Sequence, residues 1–187
     1  MRLFVALEIS AAVREKLAAL LADLRAIDEG PRWVRPENLH VTLKFIGEVS
    51  LEKLGEIQPA LAAVRANSEV KLELRGLGFF PAEKRPRVFW VGMQASANLA
   101  TLARDIDAAL GETGIPRETR EFSPHLTLAR INSGHLSEKL KAAIRERSAA
   151  EFGTIETSEF HLVESKLRRS GAEYTRVESF RFFDTEG

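Results

Sequence analysis

Two motifs of the same form, His-x-Thr, lie far apart in this chain, at residues 40–42 and 125–127. Histidine has an ordinary pKa of about 6.5, so it can give or take a proton near neutral pH. A threonine hydroxyl can donate a hydrogen bond to developing negative charge. Because side chains alternate faces along a strand, the His and Thr of each motif should point the same way. Each motif therefore pairs a proton-transfer group with an anion-binding group.

Two such pairs facing each other across a gap could flank one phosphorus atom. One imidazole would remove a proton from the nucleophile, and the other, protonated, would supply a proton to the leaving oxygen. The near-symmetry of the motifs leaves these two roles interchangeable. We expect His40, His125, Thr42 and Thr127 to be the catalytic residues, with the hydroxyls binding the non-bridging oxygens.

Histidines on strands can also have structural or metal-binding roles. A single His-x-Thr on a strand is ordinarily a half-buried residue with a satisfied hydrogen bond, but here two of the four histidines carry the motif. Neither motif has a second His or a carboxylate at metal-ligand spacing, so no metal and no cofactor are expected. His135 and His161 lack a threonine at +2 and are predicted to be structural.

Composition restricts the classes of partner. The 187 residues include 27 basic and 27 acidic side chains, so there is no overall positive field to attract long nucleic acid, and any RNA contact must be local. Cysteine is absent, which excludes thiolate zinc sites and cysteine nucleophiles. Residues 1–9 resemble a first strand more than a signal peptide, and no apolar run approaches a membrane span. A cytoplasmic protein without membrane contact is expected.

Hydrophobic periodicity predicts alternating strands and helices. The predicted strands are 2–8, 38–46, 70–74, 88–93, 125–131, 154–163 and 174–183, and Ser10, Ser96 and Ser137 are predicted to cap helices. Residues 2–5 resemble residues 87–90, and the two His-x-Thr motifs are also separated by about 85 positions. This internal duplication predicts one bilobal domain over residues 1–187. The expected fold is α+β, with two pseudo-symmetric lobes of antiparallel sheet backed by helices and a central cleft.

These segments resemble a known family over nearly the whole chain. The chain is identified as a member of the two-histidine phosphoesterases, and within them of the RNA 2′,3′-cyclic phosphodiesterases, also called 2′-5′ RNA ligases. The segments that carry the resemblance are Arg2-Leu3-Phe4-Val5-Ala6-Leu7, Asn38-Leu39-His40-Val41-Thr42-Leu43-Lys44-Phe45-Ile46-Gly47, Pro124-His125-Leu126-Thr127-Leu128-Ala129-Arg130, and Glu164-Ser165-Lys166-Leu167 with Gly171 and Tyr174.

The resemblance implies an activity and a set of roles. His40 would be the proton donor and His125 the proton acceptor, with Thr42 and Thr127 holding the phosphate. The reaction would be hydrolysis of a 2′,3′-cyclic phosphate RNA end to a 2′-phosphomonoester, with a weak, reversible, ATP-independent 2′-5′ ligation. The expected partners are such RNA ends, tRNA fragments among them, and the chain is expected to act as a monomer.

Further substrate contacts are predicted around the motifs. Arg130 could clamp phosphate if its strand ends or bulges before it, whereas Lys44 has the parity of His40. Candidates for stacking a nucleobase are Trp33, Phe80 and Tyr174, and other aromatic residues, Phe4, Phe45, Phe89 and Phe182 among them, are expected in the core. The basic groups at 84–87 and 166–169 could follow RNA phosphates or simply be solvated.

Two alternatives remain at this point. One is a cyclic phosphodiesterase for small nucleotides, such as an ADP-ribose cyclic phosphate or 2′-5′-linked oligoadenylate. The other is a non-catalytic RNA- or nucleotide-binding module of the same fold. The complete His and Thr pairs favour an enzyme, because binding alone does not require two titrating groups in mirrored strands.

Overall fold

The computed structural model describes residues 1–184 and contains nine strands, four α-helices and one 3₁₀ turn in that range. The strands are β1 (Arg2–Glu8), β2 (Arg32–Trp33), β3 (His40–Glu48), β4 (Val70–Phe80), β5 (Val88–Ala95), β6 (His125–Arg130), β7 (Glu151–Thr157), β8 (Glu159–Arg168) and β9 (Gly171–Arg181). The helices are α1 (Ala11–Ile27), α2 (Leu51–Ala62), α3 (Asn98–Glu112) and α4 (Glu138–Glu146), and the 3₁₀ turn is Pro36–Asn38. The predicted α+β class is confirmed.

The strands form two antiparallel sheets. One sheet has the order β3-β1-β8-β9 and the other the order β2-β6-β5-β4-β7. Strand β4 belongs to the first half of the chain but pairs with β5, and β8 belongs to the second half but pairs with β1. Each sheet therefore contains strands from both halves, and each contains one strand that begins with a motif histidine.

The helices bury their apolar faces against these sheets. In α1 the side chains at helical spacing, Val13, Leu17, Leu20, Leu21 and Leu24, are all buried, as the periodicity predicts. Helix α1 contacts β7 and α4, while α3 contacts α2 and β3. Helix α3 thus lies beside the strand that carries His40. No helix within residues 1–184 is both long enough and apolar enough to cross a membrane.

Two of the three predicted serine caps are confirmed. Ser10 accepts a hydrogen bond from Val13 N, and Ser137 accepts one from Leu140 N. The prediction for Ser96 is wrong, because α3 begins one residue later, with Ala97 at the N-cap. The Ser96 hydroxyl instead accepts a hydrogen bond from the backbone of β4, which reaches it across the sheet.

The end of the chain also differs from the prediction. The expected strand 154–163 is divided at Ser158 into β7 and β8, which belong to different sheets. Residues 156–159 are all polar and interrupt the alternation at the crossing, and the predicted single strand did not take this interruption as a break. Strand β2 is absent from the predicted elements, because two residues are too short to show a period. The hairpin of β8 and β9 does turn at Gly171, as expected.

Candidate active site

A cleft of about 1050 Å³ contains both His-x-Thr pairs. His40 and Thr42 contribute from β3, and His125 and Thr127 contribute from β6. The alternation that sends Val41 and Leu126 into the core leaves the polar side chains on the cleft side, as the motif predicts. The structure therefore brings together the four residues that the sequence selected.

Both motif histidines are oriented in the same way. His40 Nδ1 lies 2.6 Å from the carbonyl oxygen of Asn38, and His125 Nδ1 lies 2.8 Å from that of Ser123. A carbonyl oxygen only accepts, so each Nδ1 carries the proton and donates it. In the neutral ring, the unprotonated nitrogen is then Nε2. His40 Nε2 lies 2.9 Å from Thr42 Oγ1.

Aromatic rings fix the position of His40. Its ring stacks on Phe4 at a centroid distance of 4.7 Å and meets the edge of Tyr174 at 5.2 Å. Burial lowers the pKa of His40, and the charge of Arg14 lowers it further, although the hydrogen bond with Asn38 acts in the opposite direction. The free site therefore favours neutral His40.

Each motif strand contains a β-bulge just after its His-x-Thr motif. On β3, Thr42 pairs with Ala6 and Phe45 pairs with Phe4, so Leu43 is the extra residue. Ala6 and Phe4 are two residues apart on β1 and share a face, so Phe45 lies on the face of Thr42 and His40. The expectation that Phe45 is a core residue is wrong: its side chain is 63% exposed and lines the cleft. Phe4, Phe89 and Phe182 are buried as predicted.

The second strand repeats this irregularity. On β6, Thr127 pairs with Trp90 and Arg130 pairs with Val88, so Leu128 is the extra residue. The bulge changes the parity of the strand and places Arg130 on the face of Thr127. Arg130 lines the cleft, and its guanidinium has no hydrogen-bond or ion-pair partner among the described residues.

The same geometry moves Lys44 away from the expected face. Lys44 pairs with Val5, whose side chain points to the opposite face from Ala6 and hence from Thr42. Its Nζ is buried, lies 2.6 Å from Asp107 Oδ1 and donates to the carbonyl of Pro116 at 2.8 Å. The parity argument for Lys44 is therefore wrong, because it did not allow for the bulge. Lys44 still borders the cleft where β3 meets α3.

The Lys44–Asp107 ion pair joins β3 to α3 and, through Pro116 and Glu118, to the segment before β6. Burial alone would raise the pKa of Asp107, but the hydrogen bonds from Lys44 and the Glu118 backbone, with the charge of Arg117, hold it below its ordinary value. The segment from Pro116 to Ser123 leads directly into β6, and Ser123 supplies the carbonyl that orients His125. The pair therefore ties the strand of His40 to the segment that precedes His125.

The three stacking candidates are placed differently. Tyr174 lines the cleft, where burial raises the pKa of its hydroxyl while the charges of Arg130 and Arg2 oppose that rise. Phe80 also lines the cleft, with its ring 5.0 Å from that of His125. Trp33 is absent from the cleft wall; it packs on the core, and its Nε1 donates to Asp28 O.

The remaining histidines lie outside the motif pairs. His161 is buried, with Nδ1 2.9 Å from Ser179 Oγ, and burial lowers its pKa. His135 lies in an exposed turn next to a second, smaller cavity. Within residues 1–184, no three His, Asp or Glu side chains converge in a metal-ligand arrangement.

Sequence reasoning missed one residue that positions His40. Asn38 is buried, and its side-chain Nδ2 donates to the backbone oxygen of Ala172 at 2.8 Å. The backbone carbonyl of Asn38 accepts the hydrogen bond from His40 Nδ1. It therefore holds the imidazole relative to the β8–β9 hairpin. A polar side chain two residues before the histidine was the available signal, since a buried asparagine requires partners. Phe45 was missed because a bulge cannot be read from alternation.

A pair of antiparallel sheets that presents two equivalent His-x-Thr strands to one cleft defines the two-histidine phosphoesterase class. The model of the LigT-like phosphoesterase family matches this chain twice, over residues 7–90 and 91–174, and the chain belongs to that family. Each match contains one motif.

Curated relatives share a common name. The RNA 2′,3′-cyclic phosphodiesterase of Archaeoglobus fulgidus is 35% identical over 180 residues, covering 96% of this chain and 99% of the relative. The protein of the same name from Aeropyrum pernix is 42% identical over 144 residues, covering 76% of this chain and 81% of the relative.

Solved structures have the same fold. The TT0787 protein of Thermus thermophilus superimposes with a TM-score of 0.80 at 30% identity, covering 97% of this chain and 98% of that one. Escherichia coli LigT complexed with 3′-AMP superimposes with a TM-score of 0.78 at 29% identity, covering 98% of both chains.

Proposed function

We propose that this chain hydrolyses 2′,3′-cyclic phosphate ends of RNA to 2′-phosphomonoesters. The observation that carries the proposal is the matched orientation of His40 and His125, each with Nδ1 bound to a backbone carbonyl in a shared cleft. The relatives named RNA 2′,3′-cyclic phosphodiesterase support the substrate class. The complex of Escherichia coli LigT with 3′-AMP supports a ligand of nucleotide size for this fold.

The reaction needs one proton removed and one supplied. A water molecule loses a proton to one imidazole as its oxygen bonds to phosphorus. The bond from phosphorus to the 3′ oxygen breaks, and the other imidazole protonates that oxygen, which leaves the phosphate on the 2′ oxygen. Thr42, Thr127 and Arg130 offer donors to the non-bridging oxygens, whose charge increases in the transition state. Ligation follows the same path with a 5′-hydroxyl replacing water.

We assign the donor role to His40 and the acceptor role to His125, as the family resemblance implies. Burial lowers the pKa of His40, so the free site favours its neutral form. The donor role therefore requires the negative charge of the bound cyclic phosphate to raise that pKa. Protonated His40 can then donate through Nε2, since Nδ1 is already bound to Asn38 O.

We further propose that the two halves form a single bilobal domain that acts as a monomer in the cytoplasm, with tRNA fragments among its substrates. The exchange of β4 and β8 between the halves supports one domain, because neither sheet can form from one half alone. Both motifs come from one chain, so the cleft needs no second copy.

Parallel assays on three substrates test the function. We expect hydrolysis of a short RNA ending in 2′,3′-cyclic phosphate and less efficient hydrolysis of adenosine 2′,3′-cyclic phosphate and of 2′-5′-linked oligoadenylate. The product should resist enzymes specific for 3′-phosphate, and kcat/KM should show a bell-shaped pH profile. A 3′-phosphate product would reverse the donor and acceptor roles, and a flat profile from pH 5 to 9 would reject histidine acid–base catalysis.

A further inference from the structure

A second cavity of about 390 Å³ lies beside the catalytic cleft, between the β4–β5 turn and the turn that follows β6. Its walls are formed by Pro81, Arg85, Arg87, Ser133, Gly134 and His135. Arg87 lines both this cavity and the catalytic cleft, so the two spaces share a wall. The proposed hydrolysis of a cyclic end makes no use of this cavity.

The Arg87 side chain is held in place by backbone. Its Nη1 donates to the carbonyl of Asn132 at 2.7 Å. Gly134 adopts a φ of +70°, and a Cβ there would lie 3.7 Å from the Arg87 Cζ. Glycine thus permits the turn, and the guanidinium lies within van der Waals range of that Cβ position. The remaining guanidinium donors stay available to a ligand.

Positive charge continues from the catalytic cleft into this cavity. Arg130 pairs with Val88 across the sheet, and Arg87 is the residue before Val88. Arg85 lies two residues before Arg87, on the same turn, and lines the cavity. Among the described residues its guanidinium has no hydrogen-bond or ion-pair partner. Acidic Glu83, on the same turn, is already paired with Arg145. In a chain of zero net charge, this local series of arginines, without carboxylate partners in residues 1–184, favours an anion at more than one position.

We propose that the cavity formed by Arg85, Arg87, Ser133 and His135 binds a phosphodiester of the RNA strand on the 5′ side of the cyclic end. This inference rests on the proposed function. A strand whose terminal phosphate lies between the two histidines would pass Arg130 and Arg87 and place an upstream phosphate beside Arg85. Guanidinium groups suit this ligand because their donors match phosphate oxygens in pairs. The enzyme would therefore recognise an oligonucleotide, whereas a single cyclic nucleotide fills only the catalytic cleft.

The test compares Arg85→Gln and Arg85→Glu with the control Lys84→Gln, which removes a neighbouring charge that does not line the cavity. Substrates are a trinucleotide ending in 2′,3′-cyclic phosphate and adenosine 2′,3′-cyclic phosphate, which has no upstream phosphate. Arg85→Gln should raise KM for the trinucleotide about tenfold, the loss expected for one charge-assisted contact, without changing kcat. Arg85→Glu should raise it further. Hydrolysis of the mononucleotide should be unaffected.

Salt dependence gives a second readout. For single strands the slope of log affinity against log salt changes by about 0.7 per phosphate contact, so Arg85→Gln should reduce the slope for the trinucleotide by about 0.7. Equal effects on both substrates, or none on either, would overturn the subsite. Fluorescence anisotropy with a labelled trinucleotide ending in 3′-phosphate measures binding without turnover. If the wild type hydrolyses neither substrate, the proposed function fails. The binding measurement still tests the subsite: weaker trinucleotide binding in Arg85→Gln than in the wild type supports it, and equal binding rejects it.

Discussion

Phe45 and Arg130 occupy equivalent positions on the two motif strands, each five residues after a motif histidine and each moved onto the cleft face by a bulge. The first strand thus offers an exposed aromatic ring where the second offers a guanidinium. This difference breaks the symmetry of the two His-x-Thr pairs, because a nucleobase stacks on the ring and a phosphate binds the cation.

Substitutions at these two positions should affect different kinetic constants, KM at Phe45 and kcat at Arg130. Phe45→Ala should raise KM for cyclic substrates about tenfold with little change in kcat, since stacking on a base contributes about 1–3 kcal/mol. Arg130→Gln should instead lower kcat by roughly 10²–10³, the range for losing one donor to transition-state charge. Steady-state kinetics on the cyclic-ended oligonucleotide measures both. Phe45→Tyr is the control and should retain the wild-type KM; a fall in kcat with unchanged KM in Phe45→Ala would contradict base stacking.

Loss of either motif histidine should remove most of the activity. His40→Ala and His125→Ala should each reduce hydrolysis by roughly 10²–10⁴, as expected for one general acid or base. The effects should not add in the double variant, because both groups serve one step. Circular dichroism should show wild-type folding in each. Near-wild-type turnover in a folded single variant would remove the mechanism.

Stability should fall as the pH is lowered from 8 to 5. Burial lowers the folded-state pKa of His40 and of His161 below the ordinary value of about 6.5, so the unfolded chain binds protons first as the pH falls. The stabilisation is fully present above about pH 6.5 and is lost as the pH falls toward the folded-state pKa values. This window lies above the ordinary carboxylate range, so it isolates the histidines. The midpoint of thermal unfolding at pH 8 and pH 5 measures the effect.

The variant His161→Gln tests the origin of that pH dependence. Glutamine can keep the hydrogen bond with Ser179 Oγ but has no titrating proton, so the difference in midpoint between pH 8 and pH 5 should shrink. His135→Gln serves as the control for removing a histidine from an exposed turn. A midpoint that is higher at pH 5 than at pH 8 would show that the buried histidines do not destabilise the fold on protonation.

Breaking the buried pair between Lys44 and Asp107 should destabilise the fold. Lys44→Met leaves the Asp107 carboxylate without its buried partner, and such changes cost about 3–5 kcal/mol of unfolding free energy. The double variant Lys44→Met/Asp107→Leu should recover part of that loss, because Asp107 also accepts from the Glu118 backbone and pairs with Arg117. Urea unfolding gives the free energies. KM measured on the double variant and on Asp107→Leu separates this role from direct phosphate binding. A large rise in KM in the double variant that Asp107→Leu does not share would assign Lys44 to the substrate.

Hydrolysis should continue undiminished in excess EDTA and without ATP. The proposed proton transfers use imidazoles whose Nδ1 atoms are already bound to backbone carbonyls, and the strained cyclic ester supplies the driving force for ligation. Activity after dialysis against chelator, with and without added Mg²⁺ or Zn²⁺, measures this. Recovery only on addition of a divalent ion would point to a metal site instead.

The motif residues could be selected from sequence because their spacing follows the strand period, which holds within the three residues of each motif. Beyond the motifs the period fails at Leu43 and Leu128. The errors about Lys44 and Phe45 arise at the first bulge, and the second bulge is the condition under which Arg130 was expected to reach the cleft. A bulge depends on cross-strand pairing, which the sequence of one strand does not contain.

The sequence also reveals the internal repeat, but not its register. The similarity of residues 2–5 to 87–90 aligns Phe4 with Phe89. Phe45 and Arg130 are equivalent, so their cross-strand partners must be equivalent too. Those partners are Phe4 and Val88, which makes Val88, and not Phe89, the structural counterpart of Phe4. Phe89 consequently points into the core, while Phe4 supports His40. Side-chain type alone aligned two phenylalanines that face opposite sides of their sheets.

The exchange of β4 and β8 has a consequence for how such a site can arise. Two separate copies of one half could build the same pair of sheets only as a strand-swapped dimer, in which each active site would depend on protein concentration. Joining the copies in one chain makes that association intramolecular. The effective concentration of one half relative to the other is then set by the segment that connects them, and not by the protein concentration. Specific activity of this protein is therefore expected to stay constant at dilutions where a two-chain site would dissociate.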